Sequence, residues 1–261
     1  MGECVPLDVP ALSGGRPPGR EHAAYLAVPD APGPRPGVVV LHEAFGLDDV
    51  ARRHTDRLAR MGYLALAPDL FTRGSRASCL VSTFRALRSG RGEAFTDIAA
   101  ARAALVADER CTGSVGVIGF CMGGGFALLL ANRGYAVVSV NYGQPPADLE
   151  AALEGACPVV ASYGGRDRGL RGAAARLEEA LTAKGVPHDV VEYPTAGHSF
   201  LNDRDNAPWY LGPVSRFVLH AGPEPAAAAH AWGRIEAFLG AHLDAGAAEA
   251  ETPGAGDVTP S

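Results

Sequence analysis

The sequence predicts an α/β fold, a doubly wound, mostly parallel sheet with helices on both faces. Three observations carry this prediction. Short apolar segments alternate with helical ones, the apolar segments are continuous as in strands covered on both faces, and successive units have the length of βα repeats. With 261 residues, 47% of them hydrophobic, the chain can bury one sizeable core without a second domain.

The individual elements follow from the same patterns. Residues 37–41 are almost wholly apolar, whereas residues 49–61 place Val50, Leu58 and Met61 on one helical face and arginines on the other. The strands are predicted at 25–28, 37–41, 63–67, 115–118, 136–140, 158–163 and 188–193, and the helices at 49–61, 93–107, 126–131, 173–184 and about 226–243.

One domain is predicted between two less regular ends. Residues 1–19 form a Pro/Gly-rich lead, residues 20–243 the single domain, and residues 244–261 a tail that is predicted to be disordered. Between the fifth and sixth predicted strands there is room for a short helix but not for a lid domain. Residues 202–223 are long and lack periodicity, so they either carry specificity or form a plain surface crossover.

Charge and cysteine usage exclude several classes of protein. The net charge is −6 without a basic cluster, which argues against a nucleic-acid partner. No apolar run has membrane-spanning length, and no secretory signal is evident. The five cysteines are scattered without CxxC spacing, which favours a reduced cytoplasmic protein over a disulfide framework or a zinc cluster. We expect a monomer or homodimer that acts on a small molecule.

A cysteine lies between a predicted strand and helix in the segment Gly119-Phe-Cys-Met-Gly123. This is the pattern of a nucleophile elbow, with cysteine where serine is commoner, and the flanking glycines allow so tight a turn. At a helix N-terminus, Cys121 is favoured as a thiolate and faces a free backbone N–H. The alternatives are a buried structural cysteine or a Gly-rich phosphate loop, but Gly119 does not begin a G-x-G-x-x-G pattern.

An acid and a histidine follow the elbow in that order. Asp167 comes after the strand at 158–163 and His198 after the strand at 188–193, so both lie where open α/β sheets place ligand sites. Either residue alone would more often be a turn aspartate or a surface histidine. Together they predict a Cys121–Asp167–His198 triad, in which the histidine is the base and the aspartate orients it.

The first buried strand ends in the segment His42-Glu-Ala-Phe-Gly46. In sheets with a nucleophile elbow, the loop at this position donates a second N–H to the oxyanion of the tetrahedral intermediate. Ala44 is the predicted donor, paired with Met122 after the cysteine.

Glu43 is an unusual neighbour for such a loop, because a carboxylate repels a developing oxyanion. Its presence is explained if it is an internal partner of the Cys121 thiol, or if it moves when substrate binds; the alternative is an exposed loop glutamate. His42 is predicted to be structural, since His198 already fills the role of base.

Five short motifs, in this order, make the chain resemble the dienelactone hydrolase family, the cysteine-nucleophile branch of the α/β-hydrolases. The resemblance covers roughly residues 20–243 and implies hydrolysis of an ester or lactone through a Cys/Asp/His triad and a thioester acyl-enzyme. It also implies that Glu43 helps to generate the thiolate, and it implies no metal or organic cofactor. The motifs are His42-Glu-Ala-Phe-Gly46, Ala67-Pro-Asp-Leu-Phe71, Gly119-Phe-Cys-Met-Gly-Gly124, Gly164-Gly-Arg-Asp167 and Ala196-Gly-His-Ser-Phe200.

The chain departs from the family at one position that bears on substrate. Members that act on dienelactone carry an arginine four residues after the histidine, where this chain has Asn202, with Arg204 nearby. A neutral amide cannot make the charge-assisted pairing of an arginine with a carboxylate. The family's other carboxylate-binding arginine corresponds to Arg85 or Arg88. The predicted substrate-binding residues are Phe45, Arg85, Arg88, Tyr142, Asn202 and Arg204.

Two other functional classes are compatible with these residues. A thiol acyltransferase on the same scaffold would pass the acyl group to an acceptor faster than to water. A non-catalytic ligand-binding or redox-sensing protein would have no need for all three triad groups. The sequence favours the hydrolase, a carboxylesterase that acts on a small ester or lactone.

Overall fold

The computed structural model describes residues 1–7, 22–72, 74–206 and 215–244. Its strands are β1 (Glu3–Leu7), β2 (His22–Ala27), β3 (Arg35–Leu41), β4 (Leu64–Pro68), β5 (Cys111–Phe120), β6 (Val138–Asn141), β7 (Val159–Gly164) and β8 (His188–Tyr193). They form one sheet in the order β1-β2-β4-β3-β5-β6-β7-β8. The strands from β4 to β8 in this order pair in parallel, whereas β2 is antiparallel to both of its neighbours.

Helices cover both faces of this sheet, which confirms the predicted fold class. They are α1 (Asp49–Arg60), α2 (Arg76–Ser89), α3 (Glu93–Ala107), α4 (Met122–Leu129), α5 (Leu149–Ala152), α6 (Ala173–Ala183) and α7 (Pro225–Leu239). On one face, the Arg57 guanidinium of α1 lies 4.5 Å from the ring centroid of Trp232 in α7. Phe95 of α3 and Phe126 of α4 likewise pack together, with ring centroids 5.1 Å apart. No helix in the described ranges is long and apolar enough to cross a membrane.

Two elements differ from the sequence-based prediction. Strand β1 lies within the segment predicted as an irregular lead. It is absent from the prediction because its residues, Glu3 and Pro6 among them, are mostly exposed and form no apolar run. Helix α2 is absent from the prediction, since Val81 and Phe84 are exposed and blur its amphipathic pattern. Most of the predicted lead and tail, at 8–21 and 245–261, lies outside the described residues.

The turn from β5 into α4 requires unusually close approach of backbone segments. Cys121 has φ 54° and ψ −114°, a strained conformation for a residue with a side chain, and its N–H donates to the Asn141 carbonyl at 3.0 Å. A Cβ on Gly119 would lie 2.0 Å from the Gly123 oxygen, and one on Gly123 would lie 2.2 Å from the Leu41 oxygen. Only glycine fits at both positions, so the tight turn depends on them.

We expect Gly123→Ala to destabilise the fold by about 2 kcal/mol or more, because the added methyl group meets backbone that cannot rotate away. Gly233→Ala is the matched control. Gly233 is exposed in α7, and a methyl group added there would have no neighbour within 4 Å, so this change should be neutral or stabilising by up to ~1 kcal/mol. Urea unfolding of both variants measures the difference, and equal midpoints would contradict the close-approach argument.

Candidate active site

The structure brings Cys121, Asp167 and His198 together at the C-terminal edge of the sheet. Cys121 follows β5, Asp167 follows β7 and His198 follows β8. The His198 ring donates from Nδ1 to Asp167 Oδ2 over 2.5 Å. Asp167 is only 2% exposed, and its Oδ1 accepts the Gly169 N–H at 2.9 Å. The carboxylate is thereby held in place, and it fixes the orientation of the imidazole.

The electrostatics of this group favour a charged histidine once the Cys121 sulfur carries a negative charge. Burial disfavours the imidazolium, but the negative charges of Cys121 and Asp167 and their hydrogen bonds outweigh it, so the pKa of His198 lies well above its ordinary value. Since Asp167 occupies Nδ1, the Nε2 edge of the ring is left to serve Cys121. A positively charged ring beside the sulfur stabilises a thiolate.

Backbone contacts hold the His198 loop against the next segment of the chain. The His198 N–H donates to the Leu219 carbonyl at 2.9 Å, and the His198 carbonyl accepts the Gly222 N–H at 3.0 Å. The Tyr142 ring packs 5.1 Å from the imidazole, centroid to centroid. The ring is therefore supported from its backbone as well as through Asp167.

Of the two predicted oxyanion donors, Met122 follows the cysteine directly and Ala44 lines the same cleft. Met122 is the first residue of α4, whose N–H has no acceptor within the helix. Ala44 lies on the loop after β3, which His42 braces. The buried His42 ring donates from Nδ1 to the Glu43 carbonyl at 2.6 Å and accepts the Leu70 N–H at Nε2, 3.1 Å away. Burial lowers the pKa of His42, so a neutral imidazole ties the two loops together.

Glu43 is buried, 5% exposed, in a cage of neutral hydrogen-bond donors. Ser199 Oγ donates to Oε1 at 2.7 Å, and Asn206 Nδ2 donates to Oε2 at 2.9 Å. Asn202 Nδ2 reaches both oxygens, at 3.4 and 3.3 Å. Within the described ranges no arginine or lysine pairs with this carboxylate. Asn202 therefore contacts the Glu43 carboxylate as a neutral hydrogen-bond donor and not as a charged partner.

A cleft of about 190 Å³ opens over the cysteine and the histidine. Ala44, Phe45, Leu219 and Ala221 supply apolar wall, and Glu43 and Asn202 form its polar side. Of the six predicted substrate-binding residues, Phe45, Asn202 and Arg204 line this cleft, with Arg204 exposed at the rim beside Asp203.

The other three predicted substrate-binding residues lie elsewhere. Tyr142 is 1% exposed and contacts Asn202 and the His198 ring, so it supports the site and is not part of the cleft wall. Arg85 and Arg88 are exposed on α2, and Arg85 lines a separate groove between α2 and α3. The structure therefore corrects the prediction that an arginine of this helix clamps the substrate.

Sequence reasoning missed three polar residues around Glu43. Ser199, which has φ 55° directly after His198, and Asn206 both donate to the Glu43 carboxylate. His54 contacts Asn202 from α1. Only Ser199 could have been found from the sequence, because it lies within the Ala-Gly-His-Ser-Phe motif. His54 and Asn206 reach this site only because the segment after β8 packs on α1. No three potential metal ligands cluster within the described ranges.

Comparisons with known proteins identify the family of this chain. The sequence profile of the dienelactone hydrolase family matches residues 22–243. A predicted carboxymethylenebutenolidase of Methylorubrum extorquens is 33% identical over 69% of this chain and 68% of its own length. The carboxymethylenebutenolidase of Rhodococcus opacus is 28% identical over 89% of this chain and 92% of its own length.

A solved structure supports the fold independently. The dienelactone hydrolase of Anabaena variabilis superimposes with a TM-score of 0.67 at 21% identity, over 93% of this chain and 98% of that one. The profile match spans strands β2 to β8, the cysteine turn, and the loops of the acid and the histidine. The chain therefore belongs to the dienelactone hydrolase family of the α/β-hydrolase fold and is a hydrolase that acts on ester bonds.

Proposed function

We propose that this enzyme hydrolyses small, uncharged esters or lactones through a thioester on Cys121. One observation carries the proposal: the buried Asp167 aligns His198 toward Cys121 at the floor of an open cleft. Nucleophile, base and orienting group are the minimum set for covalent acyl transfer. The relatives named for carboxymethylenebutenolide hydrolysis support the reaction type, and the neutral Asn202 narrows the substrate class.

Acylation begins when substrate enters the cleft. The Glu43 carboxylate leaves its neutral hydrogen-bond donors, turns to the Cys121 thiol and takes the proton of that thiol. The Cys121 thiolate then attacks the carbonyl carbon of the ester. The oxyanion that forms accepts the N–H groups of Ala44 and Met122, each worth about 2.7–4 kcal/mol in the transition state. Collapse of the intermediate breaks the carbon–oxygen bond, and the leaving alkoxide takes the proton from the Glu43 carboxyl group.

Deacylation uses His198. The neutral imidazole takes a proton from a water molecule, and the resulting hydroxide attacks the thioester carbonyl. The carbon–sulfur bond then breaks, and the Cys121 thiolate leaves beside the imidazolium that Asp167 stabilises. Return of the proton from His198 to the sulfur restores the resting enzyme, and the carboxylic acid loses its own proton to solvent. The net reaction consumes one water molecule.

The charge preference follows from the cleft. Asn202 offers an amide where a carboxylate clamp would need a cation, and Arg204 lies exposed at the rim, where solvent screens it. Glu43 also repels an anionic substrate from the polar side. We therefore infer little advantage for carboxylated substrates over neutral ones of the same size.

The triad assignment predicts that Cys121→Ala and His198→Ala each remove nearly all ester hydrolysis without unfolding the protein. Asp167→Asn should be roughly two orders of magnitude less severe, since the aspartate does not react. Cys157→Ala is the matched control, because burial raises the pKa of that thiol to about 12 and keeps it unreactive. Steady-state assays of p-nitrophenyl esters provide the rates.

Acid-quenched intact mass should show one acyl group on the wild-type protein and none on Cys121→Ala. Wild-type turnover by Cys121→Ala would refute the nucleophile assignment. Acyl transfer to an added alcohol that outpaces hydrolysis would make the enzyme a transferase.

The role of Glu43 predicts that Glu43→Gln slows acylation by ~10²–10⁴-fold, the usual effect of losing a general base. His198 still supports deacylation, so the acyl-enzyme forms slowly and does not accumulate. Stopped-flow release of p-nitrophenol measures acylation, and thiolate absorbance of the free enzymes provides the comparison. An acylation rate within about twofold of wild type would show that Glu43 is not the proton acceptor.

The neutral amide predicts that p-nitrophenyl butanoate and the corresponding monosuccinate have kcat/KM values within about fivefold of each other. Asn202→Arg should raise the monosuccinate-to-butanoate ratio by roughly tenfold, the worth of one charged hydrogen bond. Arg204→Gln is the control for the rim charge. A strong native preference for the monosuccinate that survives Arg204→Gln would contradict this account of the cleft.

A further inference from the structure

A buried histidine on α1 lies directly behind the amide that contacts Glu43. His54 is 6% exposed, and its ring stacks on Phe120, the last residue of β5, with centroids 4.2 Å apart. Trp232 of α7 packs on it at 5.4 Å. Its Nε2 lies 3.0 Å from Asn202 Oδ1. The packing against Phe120 and Trp232 thus fixes the His54 ring with its Nε2 toward Asn202 Oδ1.

The hydrogen bonds of Asn202 determine which tautomer His54 adopts. Asn202 Nδ2 faces only acceptors, the two oxygens of Glu43 and Oδ1 of Asn206, so the amide nitrogen must be on that side. Asn202 Oδ1 then faces His54 and the Tyr142 hydroxyl, 3.3 Å away. His54 must therefore donate from Nε2. Burial lowers the pKa of His54, which leaves a neutral ring with its proton on Nε2.

We propose that His54 is a positioning residue for acylation: by donating to Asn202 it holds the amide with its N–H groups toward Glu43 and so keeps that carboxylate in place beside the cleft. This inference rests on the proposed role of Glu43 as proton acceptor. His54 does not reach Cys121 or the substrate cleft, and it acts only through Asn202.

The loss of this donor has a specific consequence. Without His54, Asn202 Oδ1 keeps only the longer contact with Tyr142. The amide is then free to turn and place its oxygen against the Glu43 carboxylate, where two acceptors repel each other and displace the carboxylate. A displaced Glu43 is no longer positioned to take the Cys121 proton, so acylation slows. Deacylation, which uses His198, does not depend on this amide.

The neighbouring contacts supply a control. The segment 202–206 is also tied to α1 by Arg53, whose Nη2 donates to Asp203 Oδ1 at 2.8 Å. That pair is exposed, and the hydrogen bonds of the Asn202 side chain go to other residues, so Arg53→Gln removes an attachment of the segment while leaving the partners of the amide in place. If His54 merely fastened the segment, the two substitutions would act alike.

Single-turnover acylation and steady-state deacylation of a p-nitrophenyl ester test the proposal. His54→Phe should slow acylation by about tenfold, the effect of losing the Asn202 hydrogen bond to the Glu43 carboxylate, and leave deacylation within about twofold. His54→Gln, whose amide can donate from nearly the same place, should restore acylation to within about threefold of wild type. Arg53→Gln should leave both steps unchanged. If His54→Phe does not fold, His54→Leu takes its place.

A double-mutant cycle tests whether His54 acts through Asn202. In an Asn202→Ala background, His54→Phe should cause no further slowing. Three results would overturn the proposal. His54→Phe slows acylation equally in the wild-type and Asn202→Ala backgrounds, slows acylation and deacylation equally, or leaves acylation at the wild-type rate. The Glu43→Gln variant separates the role of His54 from the role of Glu43. If acylation is slow in Glu43→Gln but normal in His54→Phe, only the role of His54 is refuted. If acylation is normal in Glu43→Gln, the role of Glu43 is refuted as well.

Discussion

The contact between backbones at Gly119, Gly123 and the end of β3 is the constraint on which the whole site depends. It lets the chain turn from β5 into α4 within one residue and leaves Cys121 with a strained positive φ. The turn also brings Cys121 to the cleft that the Ala44 loop lines. If α4 lay farther from β3, Cys121 would no longer be held in this strained conformation.

The positions of the acid and the histidine, in contrast, are set by the order of the strands. β7 and β8 lie side by side and run parallel, so the loops after them meet at the same edge. Asp167 and His198, 31 residues apart, are thereby brought within hydrogen-bonding distance. The sequence carries this information, because each residue follows a recognisable buried strand, and the prediction of neighbouring strand ends needs no knowledge of side-chain packing.

What the sequence does not reveal depends on packing between segments distant in the chain. The spacing of Asn202 after His198 predicts its place at the substrate, but its contact with His54 requires the segment after β8 to lie on α1, 148 residues earlier. No periodicity reports such a crossing. Arg85 and Arg88 illustrate the opposite error: a motif-based expectation puts them at the substrate, whereas the register of α2 turns both toward solvent. Strand β1 escapes prediction because an exposed edge strand needs no apolar run.

The neutral cage around Glu43 also governs how the enzyme responds to salt. Ionic strength weakens interactions between exposed charges, with a screening length of about 8 Å at physiological salt, but it scarcely affects short hydrogen bonds between a buried carboxylate and uncharged donors. Ser199, Asn202 and Asn206 are such donors. A carboxylate held by a mobile arginine would be released more easily as salt rises, whereas this one keeps its partners. The resting state of Glu43 is thus insulated from the ionic composition of the surrounding solution.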